Sequence, residues 1–79
     1  MKVNNKIIKL GSEILYRGCF GIDKPTTAIV KQIERSKYKR DKYGEVVPEI
    51  PFSEREYAVF CLDNNHWCYG EQVDDVIEN

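Results

Sequence analysis

Alternating apolar and polar residues recur along this chain in short runs, and no stretch supports a helix longer than a turn or two. Ser12-Glu13-Ile14-Leu15-Tyr16-Arg17 follows Gly11 and reads as a strand, with Ile14 and Tyr16 on one face and Leu15 and Arg17 on the other. Residues 18–25 hold two glycines and a proline and read as an ordered loop. Thr26-Thr27-Ala28-Ile29-Val30-Lys31-Gln32-Ile33-Glu34 is rich in β-branched residues and forms the second strand. Ala28 and Val30 share a face, but Ile33 is out of phase with them. One extra residue near Gln32, a β-bulge, restores the phase and bends the strand.

Residues 36–45 are strongly polar and read as an exposed hairpin tip or long loop. Val46-Val47-Pro48-Glu49-Ile50-Pro51-Phe52 is apolar but holds two prolines, which cannot donate to a ladder, so it is at best an edge strand. Residues 53–56 suit a single turn. Residues 57–62 form the clearest strand, with Ala58, Phe60 and Leu62 on one face and Tyr57, Val59 and Cys61 on the other.

Asn64-Asn65 then fits the centre of a two-residue type I′ turn, since Asn tolerates positive φ. In that register Asp63 faces His66, Leu62 faces Trp67 and Cys61 faces Cys68. Ala58, Phe60, Leu62, Trp67 and Tyr69 become the expected core face. Gly70 stops the strand, and residues 71–77 make a turn and a short closing strand. Leu62, Asn64, Asn65, Trp67, Tyr69 and Gly70 are thus the residues expected to define the fold.

About five short strands, a kinked second strand, a long charged loop and a late hairpin describe an all-β, small SH3-like barrel. The opening Leu10-Gly11-Ser12-Glu13-Ile14-Leu15-Tyr16 resembles that of SH3-like barrels of the Tudor and KOW type. The segment Leu62-Asp63-Asn64-Asn65-His66-Trp67-Cys68-Tyr69-Gly70 resembles a group of small uncharacterised phage and prophage proteins. Those proteins tend to show glycine where this chain has Asn65. The resemblance implies a fold and a phage or prophage setting but no particular activity.

Length and composition narrow the functions. Seventy-nine residues make one domain, spanning 1–79. A chain this short buries somewhat over ~60% of its unfolded surface. Hydrophobic residues are 42% and charged residues 32%, with 12 basic and 13 acidic, so the net charge of -1 exerts no global pull on nucleic acid or membrane. No secretory signal is expected in residues 1–10, where Lys2, Asn4, Asn5, Lys6 and Lys9 interrupt the apolar positions, and no membrane partner is expected. The expected compartment is the cytoplasm. An odd cysteine count of 3 makes a poor disulfide framework there.

His66, Cys61 and Cys68 crowd one hairpin, with Cys19 as the only further thiol. Zinc would want four ligands, commonly in closely spaced pairs, and there is no Cys-x-x-Cys. A surface His beside two half-buried cysteines is the favoured reading, so no metal or cofactor is expected. Cys61 and Cys68, if opposed, would have Cα atoms ~5.5 Å apart, within disulfide range. Cys68, His66 and Asp63 form a Cys-His-Asp set on paper. Side chains two apart on a strand stand ~6.5–7 Å apart and parallel, so the imidazole does not approach the sulfur. Asp63 and His66 are better read as a cross-strand contact that helps the turn. No catalytic residues are expected and the chain is not read as an enzyme.

The charge pattern is more suggestive. Lys31, Arg35, Lys37, Lys39, Arg40 and Lys42 are half of the 12 basic residues. Within this run, Lys37, Tyr38, Lys39, Arg40, Lys42 and Tyr43 are candidates for nucleic-acid contact, with the tyrosines stacking on bases. The same run also reads as a solvated tip whose lysines discourage edge pairing. Glu71, Asp74, Asp75 and Glu78 would balance it and polarise the molecule. Tyr16, Phe20, Tyr57 and Tyr69 cannot all be buried in so small a domain, and those left outside would mark an interface with a homodimer partner or another protein. The leading expectation is a small non-enzymatic binding module acting by protein contact, with inhibition of a host factor as its extension. Nucleic-acid binding through residues 31–43 is the alternative.

Overall fold

A computed structural model describes residues 6–18, 24–39, 41 and 44–77. Phe20, Cys19, Arg40, Lys42, Tyr43 and Glu78 lie outside them. Eight strands occur among the described residues: β1 (Ile7–Lys9), β2 (Glu13–Tyr16), β3 (Thr26–Arg35), β4 (Glu45–Val47), β5 (Glu49–Pro51), β6 (Ala58–Leu62), β7 (Trp67–Tyr69) and β8 (Val73–Ile77). The helical segments among the described residues are 3-10 turns, Phe52–Tyr57 and Gly70–Gln72. No helix among the described residues is long and apolar enough to cross a membrane.

The fold is an all-β, small barrel-like meander with SH3-like strand order. The main sheet runs β7-β6-β3-β2-β8, with β4 also on β3, and every pairing is antiparallel. The last strand therefore returns to β2, near the start, and curls the sheet round its own core. The expected count of about five strands is exceeded because several elements are only three residues long.

Strand β3 turns the corner. Its first half pairs with β2, from Tyr16↔Thr26 to Glu13↔Ile29. Its second half pairs with β6 and β4. The register with β6 shifts between Val30 and Gln32, which is the bulge anticipated from the phase of Ile33. Ala28, Val30 and Ile33 all point inward as a result. They join Ile8, Ile14, Tyr16, Ile50, Phe52, Ala58, Phe60, Leu62, Cys68, Val73 and Val76 in one core cluster.

The 46–52 stretch splits at Pro48. β4 forms an edge on β3, and β5 pairs with β1 in a two-stranded ribbon that buries Ile8 against Ile50. The N-terminal strand β1 was not anticipated, because three residues are too short to show a period. Its ends are secured by Phe52 N donating to the Lys6 carbonyl (2.9 Å) and by Leu10 N donating to that of Pro48 (3.3 Å).

The late hairpin is one residue off the expected register. Phe60 faces Cys68 and Cys61 faces Trp67, rather than Leu62 facing Trp67 and Cys61 facing Cys68. Leu62 N donates to the His66 carbonyl at 2.9 Å, closing a three-residue loop over Asp63, Asn64 and Asn65. Of these only Asn65 has positive φ, 66°, whereas a type I′ turn needs two such residues. A left-handed third residue is the usual end of a three-residue hairpin loop. Because side chains alternate, the one-residue slip exchanges the faces of β7. Cys68 enters the core at 1% exposure and Trp67 leaves it at 45%. Trp67 and Tyr69 are therefore not core residues, while Tyr16, expected among the surplus aromatics, is buried.

Long-range bonds select this loop. Asp63 N donates to the Ile29 carbonyl (3.0 Å), and Asp63 Oδ1 accepts from Ile29 N (3.1 Å). Asn64 Nδ2 donates to the Tyr16 hydroxyl at 3.0 Å, and Asn64 Oδ1 accepts from His66 N at 3.1 Å. Asp63 thus clamps the loop to β3 and does not pair with His66.

Candidate functional site

The hairpin loop, the end of β2, the start of β3 and the Gly70–Gln72 turn meet at one end of the barrel. They enclose a cleft of ≈440 Å³ lined by Tyr16, Gly18, Lys24, Thr26, Asn64, His66, Trp67 and Gln72. Gln72 is fixed in it twice over. Its Oε1 accepts from Tyr69 N (2.9 Å), and its Nε2 donates to the Arg17 carbonyl (2.9 Å). Asn64 is fixed by Tyr16 and by its own turn. The amide walls are therefore rigid, while Lys24 and His66 carry side chains that make no hydrogen bond or ion pair among the described residues.

Trp67 also belongs to the outer face of the sheet. Across the strands one outer row is Gln32, Cys61 and Trp67, and the next is Glu34, Val59 and Tyr69. The Trp67 and Tyr69 rings meet edge to face, with centroids 5.1 Å apart and planes at 89°. They stand on β7, which among the described residues pairs with β6 alone. The chain's only tryptophan is thus half exposed on an edge strand, next to the mouth of a cleft.

The basic run lies elsewhere, at the β3–β4 hairpin. Of its candidates, Lys37, Tyr38 and Lys39 are described and exposed. Arg40, Lys42 and Tyr43 lie outside the described residues. A second cleft there, ≈460 Å³, is lined by Arg35, Ser36, Lys37, Tyr38, Asp41, Gly44 and Glu45, so two carboxylates share it with the cations. Arg35 pairs with Glu54, and Lys39 Nζ lies 3.1 Å from Glu56 Oε2. The Glu56 carboxylate holds the Lys39 ammonium above the usual lysine range. At the other end Arg17 pairs with Asp74 (2.8 Å) and Lys6 with Asp75 (2.9 Å), and Lys6 with the Val76 N–H holds the Asp75 carboxyl below its ordinary range. Among the described residues these ion pairs set opposite charges side by side at both places, where the sequence led to the expectation of a polarised molecule.

Cys61 and Cys68 are free thiols. Burial, helped by the nearby Cys61, pushes the Cys68 thiol up to about 12, so it is protonated at neutral pH and poorly suited to nucleophilic attack. His66 is exposed in the cleft while Cys68 faces inward, and Asp63 is occupied with Ile29. The Cys-His-Asp set is not assembled. Among the described residues no group of three or more His, Cys, Asp or Glu side chains could hold a metal ion.

Sequence reasoning singled out neither Arg55, which braces the turns beside the cleft, nor Lys24, which lines it. Arg55 Nε donates to the Val73 carbonyl (2.8 Å), its Nη1 donates to that of Phe52 (3.2 Å), and its guanidinium lies 4.1 Å over the Phe52 ring. Lys24 adjoined a loop and carried no pattern of its own. Gly70 was anticipated as a strand break, and its reason is contact: the Arg55 carbonyl oxygen sits 1.5 Å from where a Cβ would be. Together these features define a small all-β barrel with an aromatic edge and a donor-lined cleft. Comparison with protein-family models, curated proteins and solved structures gave no match.

Proposed function

We propose that this chain is a small, non-enzymatic binding module that acts by protein contact through the β7 edge. The observation that carries the reading is Trp67, 45% exposed and set edge to face with Tyr69 outside the core. Tryptophan offers the largest apolar area of any side chain, and an exposed one beside a cleft is the usual anchor of a contact surface. The resemblance of residues 62–70 to phage and prophage proteins fits a cytoplasmic accessory protein of that origin, occupying the surface of a host factor.

The test is capture from native host extract by wild type, Trp67→Ser and Lys37→Glu/Lys39→Glu. A partner held by wild type and the charge-reversed form but lost with Trp67→Ser supports the reading. Equal capture by Trp67→Ser removes it. Nucleic-acid binding is the second reading, favoured by Tyr38 at 70% exposure beside Lys37. It predicts a gel shift at low salt that the charge-reversed form loses and Trp67→Ser keeps.

A further inference from the structure

The cleft beside Trp67 has an unusual balance of polar groups. Among the described residues that line it, none is acidic. Among these described residues Lys24 alone carries a permanent charge, and neither it nor the His66 ring is engaged by any described residue. The Tyr16 hydroxyl accepts from Asn64 Nδ2, which leaves its own proton to be given away. Tyr16 is buried up to its hydroxyl, so this donor is held in place by the core. Gln72 and Asn64 are already committed and shape the walls. What remains is a cation, a hydroxyl donor and an imidazole around a space of ≈440 Å³, with an aromatic ring at its mouth.

We propose that this cleft receives a carboxylate side chain from an acidic segment of the protein partner, with an adjacent apolar residue seated on Trp67. The assignment rests on the protein-binding reading above and names the chemistry of its contact. A single ammonium with neutral donors matches the single charge of a carboxylate. A doubly charged phosphate would call for an arginine fork or several cations. Arg17, the nearest candidate by sequence, is occupied by Asp74. An uncharged amide would leave Lys24 without a counter-charge and gain little from the site.

The only tryptophan is in the cleft, so its fluorescence reports occupancy directly. The probes are the blocked peptide acetyl-Leu-Glu-amide, its Leu-Gln counterpart and inorganic phosphate. The Glu peptide should give a saturable change with a Kd in the range of roughly 1 mM, where a small ligand with one charged contact falls. The Gln peptide should bind about tenfold more weakly, as should the Glu peptide to Lys24→Ala, with Lys24→Arg restoring much of the loss. Circular dichroism of each variant shows that the barrel is intact. No saturable change with the Glu peptide, equal binding of the Gln peptide, or unchanged binding by Lys24→Ala overturns the proposal. Phosphate binding as tightly as the Glu peptide overturns the choice of carboxylate. Peptide binding without capture of any whole protein would remove the reading above and leave the cleft's chemistry standing. Capture through Trp67 with no peptide binding would do the reverse.

Discussion

Replacing Gly70 with alanine should remove a third or more of the stability of this domain. The added Cβ would lie 1.5 Å from the Arg55 carbonyl oxygen, 2.4 Å from its carbon and 3.1 Å from the Ala58 carbonyl oxygen. All three atoms are backbone, so no side chain can swing aside. Restoring ordinary contact requires the Phe52–Tyr57 segment to withdraw from the Gly70–Gln72 turn by roughly 2 Å, because interiors are close-packed and do not absorb the overlap. That withdrawal strains the hydrogen bond from the charged Arg55 side chain to the Val73 carbonyl, worth about 2 kcal/mol. It also loosens Phe52, now 8% exposed, for about 2 kcal/mol more. The sum, about 4 kcal/mol, compares with a total of about 4–12 kcal/mol for a domain of this length.

The assay is urea unfolding followed by Trp67 fluorescence, with Gly11→Ala as the contrast. Gly11 has φ +91° and nothing within 4 Å of a built Cβ, so its alanine carries only the conformational cost, about 1 kcal/mol. With a slope of about 1 kcal/mol per molar urea, Gly70→Ala should lower the midpoint by about 4 M or leave no folded baseline, against about 1 M for Gly11→Ala. A Gly70→Ala midpoint within that 1 M of wild type would refute the reasoning, since the close approach would then be relieved at little cost.

Three further outcomes follow from the hairpin. Asn65→Gly should stabilise the domain by about 0.5–1 kcal/mol, because glycine holds positive φ without strain; a lower urea midpoint would contradict the three-residue loop. Trp67→Ser should cost about 1 kcal/mol and Phe60→Ala about 3–5 kcal/mol, and comparable losses would mean that Trp67 lies in the core after all. Cys68, raised from 9.0 to about 12, binds its proton more tightly folded than unfolded. Its contribution is thus whole below pH 9 and fades as pH rises from 9 towards 12, by about 1.4 kcal/mol for each unit in that window. The stability difference between wild type and Cys68→Ala, measured in urea at pH 7, 9 and 10, should shrink between the last two, and iodoacetamide at pH 7.5 should label Cys61 before Cys68; a constant difference or equal labelling would show that the thiol is not buried.

What the chain disclosed in advance depends on the range of the interactions that decide each feature. The bulge in β3 was legible because it is written locally, as a break in the alternation of Ala28, Val30 and Ile33. The strands around Tyr16 and Phe60 were legible for the same reason. The hairpin register was not. Asn64-Asn65 is compatible with a two- or a three-residue loop, and the choice rests on Asp63 reaching Ile29, 34 positions away, and Asn64 reaching Tyr16, 48 away. No local pattern distinguishes the two. A domain of this size has room in its centre for Cys68 opposite Phe60 but not for Trp67 as well, yet that limit shows only when the core is assembled. The slip of one residue is also what creates the candidate site. It turns Trp67 outward, next to Lys24 and Tyr16, residues that the sequence keeps more than forty positions from Trp67 itself. Function in such a barrel is set where distant loops converge, so its contact surface becomes readable only once the register is known.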